Sequence, residues 1–275
     1  SSVGGLDLNA EFQIASLVST TSYTIVASSN ASSSATGGGS SVTAAYQINV
    51  GPAFAIPLTG WGASSWSFGA WGIGAESVEE VRQWSQANFG EDLVFGPRGG
   101  TLFYWDASAT NSLFVRGVAL SSVSGASDVP TIQNLTLVSD ISRFVFCFGC
   151  NELGSSTLNT MLIRWSDQED ATNWTPSATN QSGDLILSNG TNIITAKQSR
   201  QEVLVWTDSA LYALQYVGAP AVWTAQLVGE NTSVASQNAV AYANGIAYWM
   251  GRDKFYMYDG RVKPLRCDLR KFIFN

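Results

Sequence analysis

The residues with the most evident chemical capacity are Cys147 and Cys150, spaced as C-x-x-C, with Cys267 the only other thiol. Such a pair suggests zinc or redox work when a second pair or a histidine completes it. The chain has no histidine. A tetrahedral site therefore stays incomplete, and the pair falls at a strand end rather than at a helix N-terminus, where thiolates are stabilised. It reads as two thiols packed beside a turn. The missing imidazole also removes Ser-His-Asp and Cys-His nucleophilic catalysis and His-ligated zinc chemistry.

Carboxylates pair in sequence at Glu79/Glu80, Glu91/Asp92 and Glu169/Asp170. Neighbours on a strand point to opposite faces, whereas a glycosidase needs two carboxyls facing each other across a cleft. Any such pair would have to join different parts of the chain. Arg82, Arg98, Arg116, Arg143, Arg164 and Arg200 are scattered and do not form the arginine cluster a sialidase requires. Gly37–Gly39 lack the strand–glycine–helix context and the lysine of a phosphate loop. The N-x-S/T triplets at Asn30, Asn134, Asn173, Asn180, Asn189 and Asn231 are what loops rich in Ser, Thr and Asn produce by chance. The expectation is a protein that is not an enzyme and uses no cofactor or metal.

Trp61, Trp66 and Trp71 recur every five residues among Gly and Ser. Five matches neither helix nor strand period, so the segment is a turn-rich connector whose indoles dock elsewhere. Its alternative use is an aromatic platform for sugars, which would make the chain a glycan-binding or receptor-binding component.

Charge is sparse and uneven. Only 13% of residues are charged and the net is −7, the opposite of the positive stripe that gives nucleic-acid binders their affinity. Residues 1–75 hold Asp7 and Glu11 and no Lys or Arg, while seven of the fourteen basic residues fall in the final 24 positions. Arg261, Lys263 and Arg266 in that stretch, set against Glu79, Glu80, Glu91 and Asp92, are the candidate residues of a subunit contact. No apolar run approaches the roughly 20 residues of a bilayer span, so no membrane partner is expected. Three cysteines without a visible signal peptide read as reduced thiols in a cytoplasm.

These side chains must be held by strands. Hydrophobics make up 45% and aromatics 12% of 275 residues, with 26 glycines, the profile of short strands and tight turns. From Phe12 and Ile14 a strand runs to a polar turn at Ser19–Ser22, and Tyr23 and Ile25 begin the return. Residues 28–43 follow as a Ser/Gly arm with nothing to bury, and Tyr46, Ile48 and Val50 alternate again. The organisation is a small β module over 1–50, a Gly/Trp-rich connector over 51–76, and repeating hairpins over 77–275.

Each repeat has a leading strand and a hairpin. VRQWSQAN precedes DLVFGPRGGTLFYWD, IQNLTLVSD precedes the hairpin from Phe144 to Asp167, NIITAKQS precedes EVLVWTDSALYALQYV, and NAVAYANG precedes GIAYWMGRDKFYMYDG. The strands centred near Phe95, Phe146, Val205 and Tyr248 are 51, 59 and 43 residues apart. Repeats of about 40 to 50 residues with three or four strands each are the signature of β-propeller blades. Ser77 and Glu80 sit in capping-box spacing, but the repeat assigns that segment to the leading strand. In Phe144–Gly149 both alternating sets are apolar, which predicts a strand packed on both faces and an exposed turn at NELGSSTLNT.

RWSD at 164–167, with Asp170, Trp174 and Pro176 after it, QSRQEVLVWTDSALY at 198–212 and YWMGRDKFYMYDGRV at 248–262 resemble the tail structural proteins of short-tailed phages. NFGEDLVF and LFYWD extend the likeness, which covers about 80–275. The family is of the nozzle or head-to-tail hub type. The resemblance implies a ring, commonly hexameric, around the channel through which the genome leaves the capsid. Its implied partners are neighbouring copies and tail or portal-adaptor proteins, with genome DNA passing without sequence-specific binding. The implied location is the virion, assembled in the host cytoplasm. Family members run longer at both ends, and the chain opens on Ser1 and stops in RKFIFN, so it reads as a processed or partial piece.

Overall fold

The computed structural model describes residues 2–10, 12, 14–19, 22–38, 83–109, 116–139 and 142–274. The chain divides into two compact units, Ser1–Asn49 and Val50–Asn275. Apart from one 3-10 turn and one short helix, the regular structure of the described residues is antiparallel strand.

In the first unit β1 (Ser2–Val3) pairs with β2 (Leu6–Asp7), and β3 (Ile14–Ser19) pairs with β4 (Ser22–Ile25). The second pair is the hairpin expected around the Ser19–Ser22 turn. Ser32 donates from its N–H at 2.8 Å and its hydroxyl at 2.9 Å to the Gly4 carbonyl, tying the arm back to the first turn. Residues 28–38 are irregular and exposed. The strand expected at Tyr46, Ile48 and Val50 lies outside the described residues, as does the 77–82 segment with its capping-box spacing.

The second unit holds four four-stranded sheets, each a run of strands consecutive in sequence. The first comprises β5 (Trp84–Phe89), β6 (Asp92–Pro97), β7 (Phe103–Trp105) and β8 (Val118–Ala119). The second is β9 (Gln133–Val138), β10 (Val145–Asn151), β11 (Leu158–Trp165) and β12 (Gly183–Ile186). The third is β13 (Ile193–Gln198), β14 (Glu202–Thr207), β15 (Ala210–Gly218) and β16 (Val222–Glu230). The fourth is β17 (Val240–Ala243), β18 (Ile246–Met250), β19 (Phe255–Tyr258) and β20 (Val262–Leu265), followed by α1 (Arg270–Ile273). The three strands read from each repeat are present. The outer strands β8, β12, β16 and β20 are additions.

Tight turns set the register. Ala243 pairs with Ile246 across Asn244 (φ +54°) and Gly245 (φ +83°), the Asn-Gly pair of a two-residue hairpin whose twist matches the strands. At Gly149 (φ +59°) the β10–β11 register slips, and a Cβ there would sit 2.8 Å from the Asn134 amide nitrogen. Only glycine fits that bulge without displacing its neighbour.

Three apolar clusters fill the spaces between consecutive sheets. Val94 and Leu102 meet Val145, Cys147 and Trp174 between the first and second. Phe144, Phe146 and Phe148 meet Val203, Val205 and Trp223 between the second and third. Leu204 and Trp206 meet Val240, Trp249 and Tyr256 between the third and fourth. All of β10 is buried and its two residue sets enter different clusters, as the double alternation in 144–149 predicts. The turn that follows it is mostly exposed. The first strands of successive sheets are neighbours, with β9 against β5, β13 against β9 and β17 against β13.

Both C-x-x-C thiols are free and fully buried within β10. Cys150 Sγ donates weakly to the carbonyls of Cys147 at 3.7 Å and Leu162 at 3.9 Å. Burial pushes the Cys150 thiol up to about 12, and burial together with Cys150 pushes Cys147 up as well. Reactivity needs the thiolate and access to solvent, which leaves the half-buried Cys267. Native protein is expected to release one equivalent of thionitrobenzoate from Ellman's reagent, and unfolded protein three. Rapid native labelling of Cys147 or Cys150 would contradict this packing.

Candidate functional site

The inner sheets spend both faces on the core, so among the described residues of the second unit the surface open to a partner lies on loops, sheet rims and the outward faces of the first and fourth sheets. At the first sheet, Glu91 is exposed in the turn after β5. Asp92 is half-buried and already engaged. It accepts the Tyr104 hydroxyl and, at 2.9 Å, the Ala107 N–H. Burial first, then the bond to Asp92 and its charge, hold the Tyr104 hydroxyl well above its ordinary pKa. Asp92, set against the basic stretch with Glu91 as a candidate contact residue, is thus engaged as an internal brace. Glu79 and Glu80 lie outside the described residues, and so do Trp61, Trp66 and Trp71.

Glu169 and Asp170 belong to the loop after β11, where carboxylates fold the chain onto itself. Asp170 Oδ1 accepts the Thr172 N–H at 2.8 Å and hydroxyl at 2.6 Å, and Asp167 Oδ1 accepts the N–H groups of Gln168 and Gln181, both at 2.8 Å. Trp174 closes the loop from inside, 1% exposed, with its indole N–H on the Ala171 carbonyl at 2.8 Å. The motif that carries the family resemblance therefore folds a corner of the second sheet. Among the described residues no three His, Cys, Asp or Glu side chains gather to hold a metal.

Arg164, one of the scattered arginines, is 2% exposed. Its guanidinium donates to three main-chain carbonyls: Asn151 at 3.2 Å, Asp128 at 2.7 Å and Trp174 at 3.4 Å. It ties the loop before β9, the end of β10 and the loop after β11 into one corner. Burial identifies it as a structural residue. Its only sequence signal is membership of RWSD.

The basic stretch surrounds the fourth sheet. Lys263 on β20 bonds to Asp259 at 2.6 Å, Arg266 to Asp268 at 3.1 Å, Arg270 to Asp253 at 3.0 Å, and Lys254 reaches Asp253 at 3.7 Å. Two of the three candidate contact cations thus have carboxylate partners within the chain. Arg261, in the β19–β20 turn, makes no ion pair with a described residue, nor do Arg252 and Lys271. A cleft at this end is lined by Asp253, Cys267, Asp268, Arg270, Lys271 and Phe274. The final 24 positions hold seven cations and three anions, a net of +4, which leaves −11 on the rest of the chain.

No protein-family model and no curated protein matches the chain. Among solved structures, the extracellular domain of a putative one-component system, BT4673 of B. thetaiotaomicron, is similar over 72% of this chain with 12% identity and a TM-score of 0.42. KlHsv2 with its loop 6CD replaced by a Gly-Ser linker is similar over 64% with 9% identity and a TM-score of 0.37. The computationally designed protein Ika8 is similar over 70% with 11% identity and a TM-score of 0.31. The chain spans 24%, 48% and 63% of those chains respectively, less than two thirds of each. None of the three carries a function over to it.

Proposed function

We propose that the chain is a structural subunit of a phage tail, of the nozzle or head-to-tail hub type, built of propeller-like blades and working as a ring around the genome-exit channel. The observation that carries this reading is the succession of four four-stranded meanders whose first strands lie side by side. Twisted sheets that share neighbouring first strands fan out around an axis, which is how blades are arranged. Supporting it are the RWSD, QSRQEVLVWTDSALY and YWMGRDKFYMYDGRV segments that resemble this family. They supply the corner of the second sheet, the centre of the third and the hairpin of the fourth.

The role asks for shape rather than catalysis. A polyanion slides past a surface that is sparsely charged and net negative, because few cations are available to exchange for the counterions on its phosphates. The partners in this reading are other copies of the chain and neighbouring tail or portal-adaptor proteins, within a virion assembled in the host cytoplasm.

Immunogold labelling tests it. Antibody raised against the recombinant chain and applied to particles of the virus that encodes it is expected to mark a single tail vertex. Absence of label from intact and from opened particles, with the protein found only in the infected cell, would overturn the reading.

A further inference from the structure

We propose that the outward face of the fourth sheet, with α1 beside it, is the surface on which a second copy of this chain docks, head to tail. The proposal rests on the ring reading above and names the surface that would build the ring.

Alternation across β17–β20 divides the sheet cleanly. Val240, Ala247, Trp249 and Tyr256 face the third sheet and are buried. The opposite side carries a cross-strand row of Ala241, Tyr248, Met257 and Lys263. Tyr248 is 36% exposed, and at the adjoining helix Leu269 and Phe272 are 65% and 85% exposed. The helix is anchored there by the Phe274 ring against Phe255 at 5.2 Å and by Arg270 on Asp253. Exposed large apolar side chains of this kind on a sheet face and the helix anchored beside it, among charged residues, mark an interaction site, and tyrosine and phenylalanine are enriched among interface residues.

Charge selects the occupant. The apolar face lies within a stretch of net +4, and the rest of the chain carries −11. Two copies meeting through the same face would oppose like charges, which is costly at an interface. A copy presenting a side drawn from the net −11 remainder of the chain brings complementary charge. The contact is therefore heterologous, and repeating it builds either a closed ring or an open helix. The local pairs Lys263–Asp259 and Arg266–Asp268 are exposed and screened by solvent and contribute little, so the apolar row anchors the contact. Arg252, Arg261 and Lys271, which make no ion pair with a described residue, steer it.

Sedimentation of the full chain over a wide concentration range tests this with Tyr248→Glu/Phe272→Glu and a control, Ile186→Glu, at an exposed position on β12 of the second sheet. Wild type and control are expected to form species larger than dimers. The double variant, with unchanged circular dichroism, is expected to lose affinity by about tenfold or more. Assembly of the double variant equal to wild type would overturn the face while leaving the ring reading standing. A wild type that stops at a dimer would overturn the head-to-tail arrangement. A wild type that stays monomeric, including one that instead retains duplex DNA, would overturn both the docking of a second copy and the ring built from it, whereas the tail location stands or falls on the labelling of particles.

Discussion

Replacing Arg164 with leucine is expected to lower the stability of the unit Val50–Asn275 by about 3 to 5 kcal/mol, because the change removes the shared donor of three main-chain carbonyls, two of them in buried bonds and one in a part-buried bond. The three oxygens belong to segments far apart in sequence, at Asp128, Asn151 and Trp174. No other single side chain in the second sheet joins all three. A deletion of this size in a domain of this length lowers the melting temperature by roughly 10 °C. Arg164→Lys is expected to fall between, since an ammonium can satisfy part of the set but lacks the planar fork. Chemical denaturation of the three proteins checks the order. If Arg164→Leu unfolds within about 1 kcal/mol of wild type, the guanidinium is not holding that corner together.

Truncation of Phe146 to alanine is expected to cost a similar amount, about 3 to 5 kcal/mol, by a different route. Its ring is fully buried between the second and third sheets, 5.0 Å from Trp223, 5.8 Å from Phe148 and 6.3 Å from Trp165. Those neighbours sit on β10, β11 and β16, whose ladders fix their positions, so they cannot collapse into the space the ring leaves. The loss therefore includes a cavity as well as the transfer energy of the missing atoms. The comparison is Leu17→Ala on β3. Leu17 is 77% exposed, and its truncation is expected to change stability by no more than about 0.5 kcal/mol. Equal effects from the two substitutions would mean that the Phe146 face of the 144–149 strand is not packed against the third sheet.

The sequence by itself determined the leading strand and hairpin of every sheet. Alternation is a local property, written into residues two apart, and in β10 both alternating sets are apolar because both faces meet a neighbour. It also determined the absence of imidazole chemistry and the concentration of cations near the last sheet. It did not disclose β8, β12, β16 and β20. These edge strands are partly exposed and two or four residues long in three cases, and β20 contains Pro264, which an edge tolerates because that side of the strand lacks a ladder partner. They are strands because a finished hairpin offers them an open row of hydrogen-bonding groups. Only the tertiary structure decided how each charge is used. Arg164 resembles the other scattered arginines until Asp128, 36 positions earlier, and Trp174 are folded onto it. Asp92 resembles surface acid until Tyr104 and Ala107 close over it. The Lys263 and Arg266 side chains resemble free cations until turns bring Asp259 and Asp268 beside them. The partners of Arg164 and Asp92 lie ten or more positions away and those of Lys263 and Arg266 only four and two, and periodicity within one segment records neither the distant group nor the turn that delivers the near one.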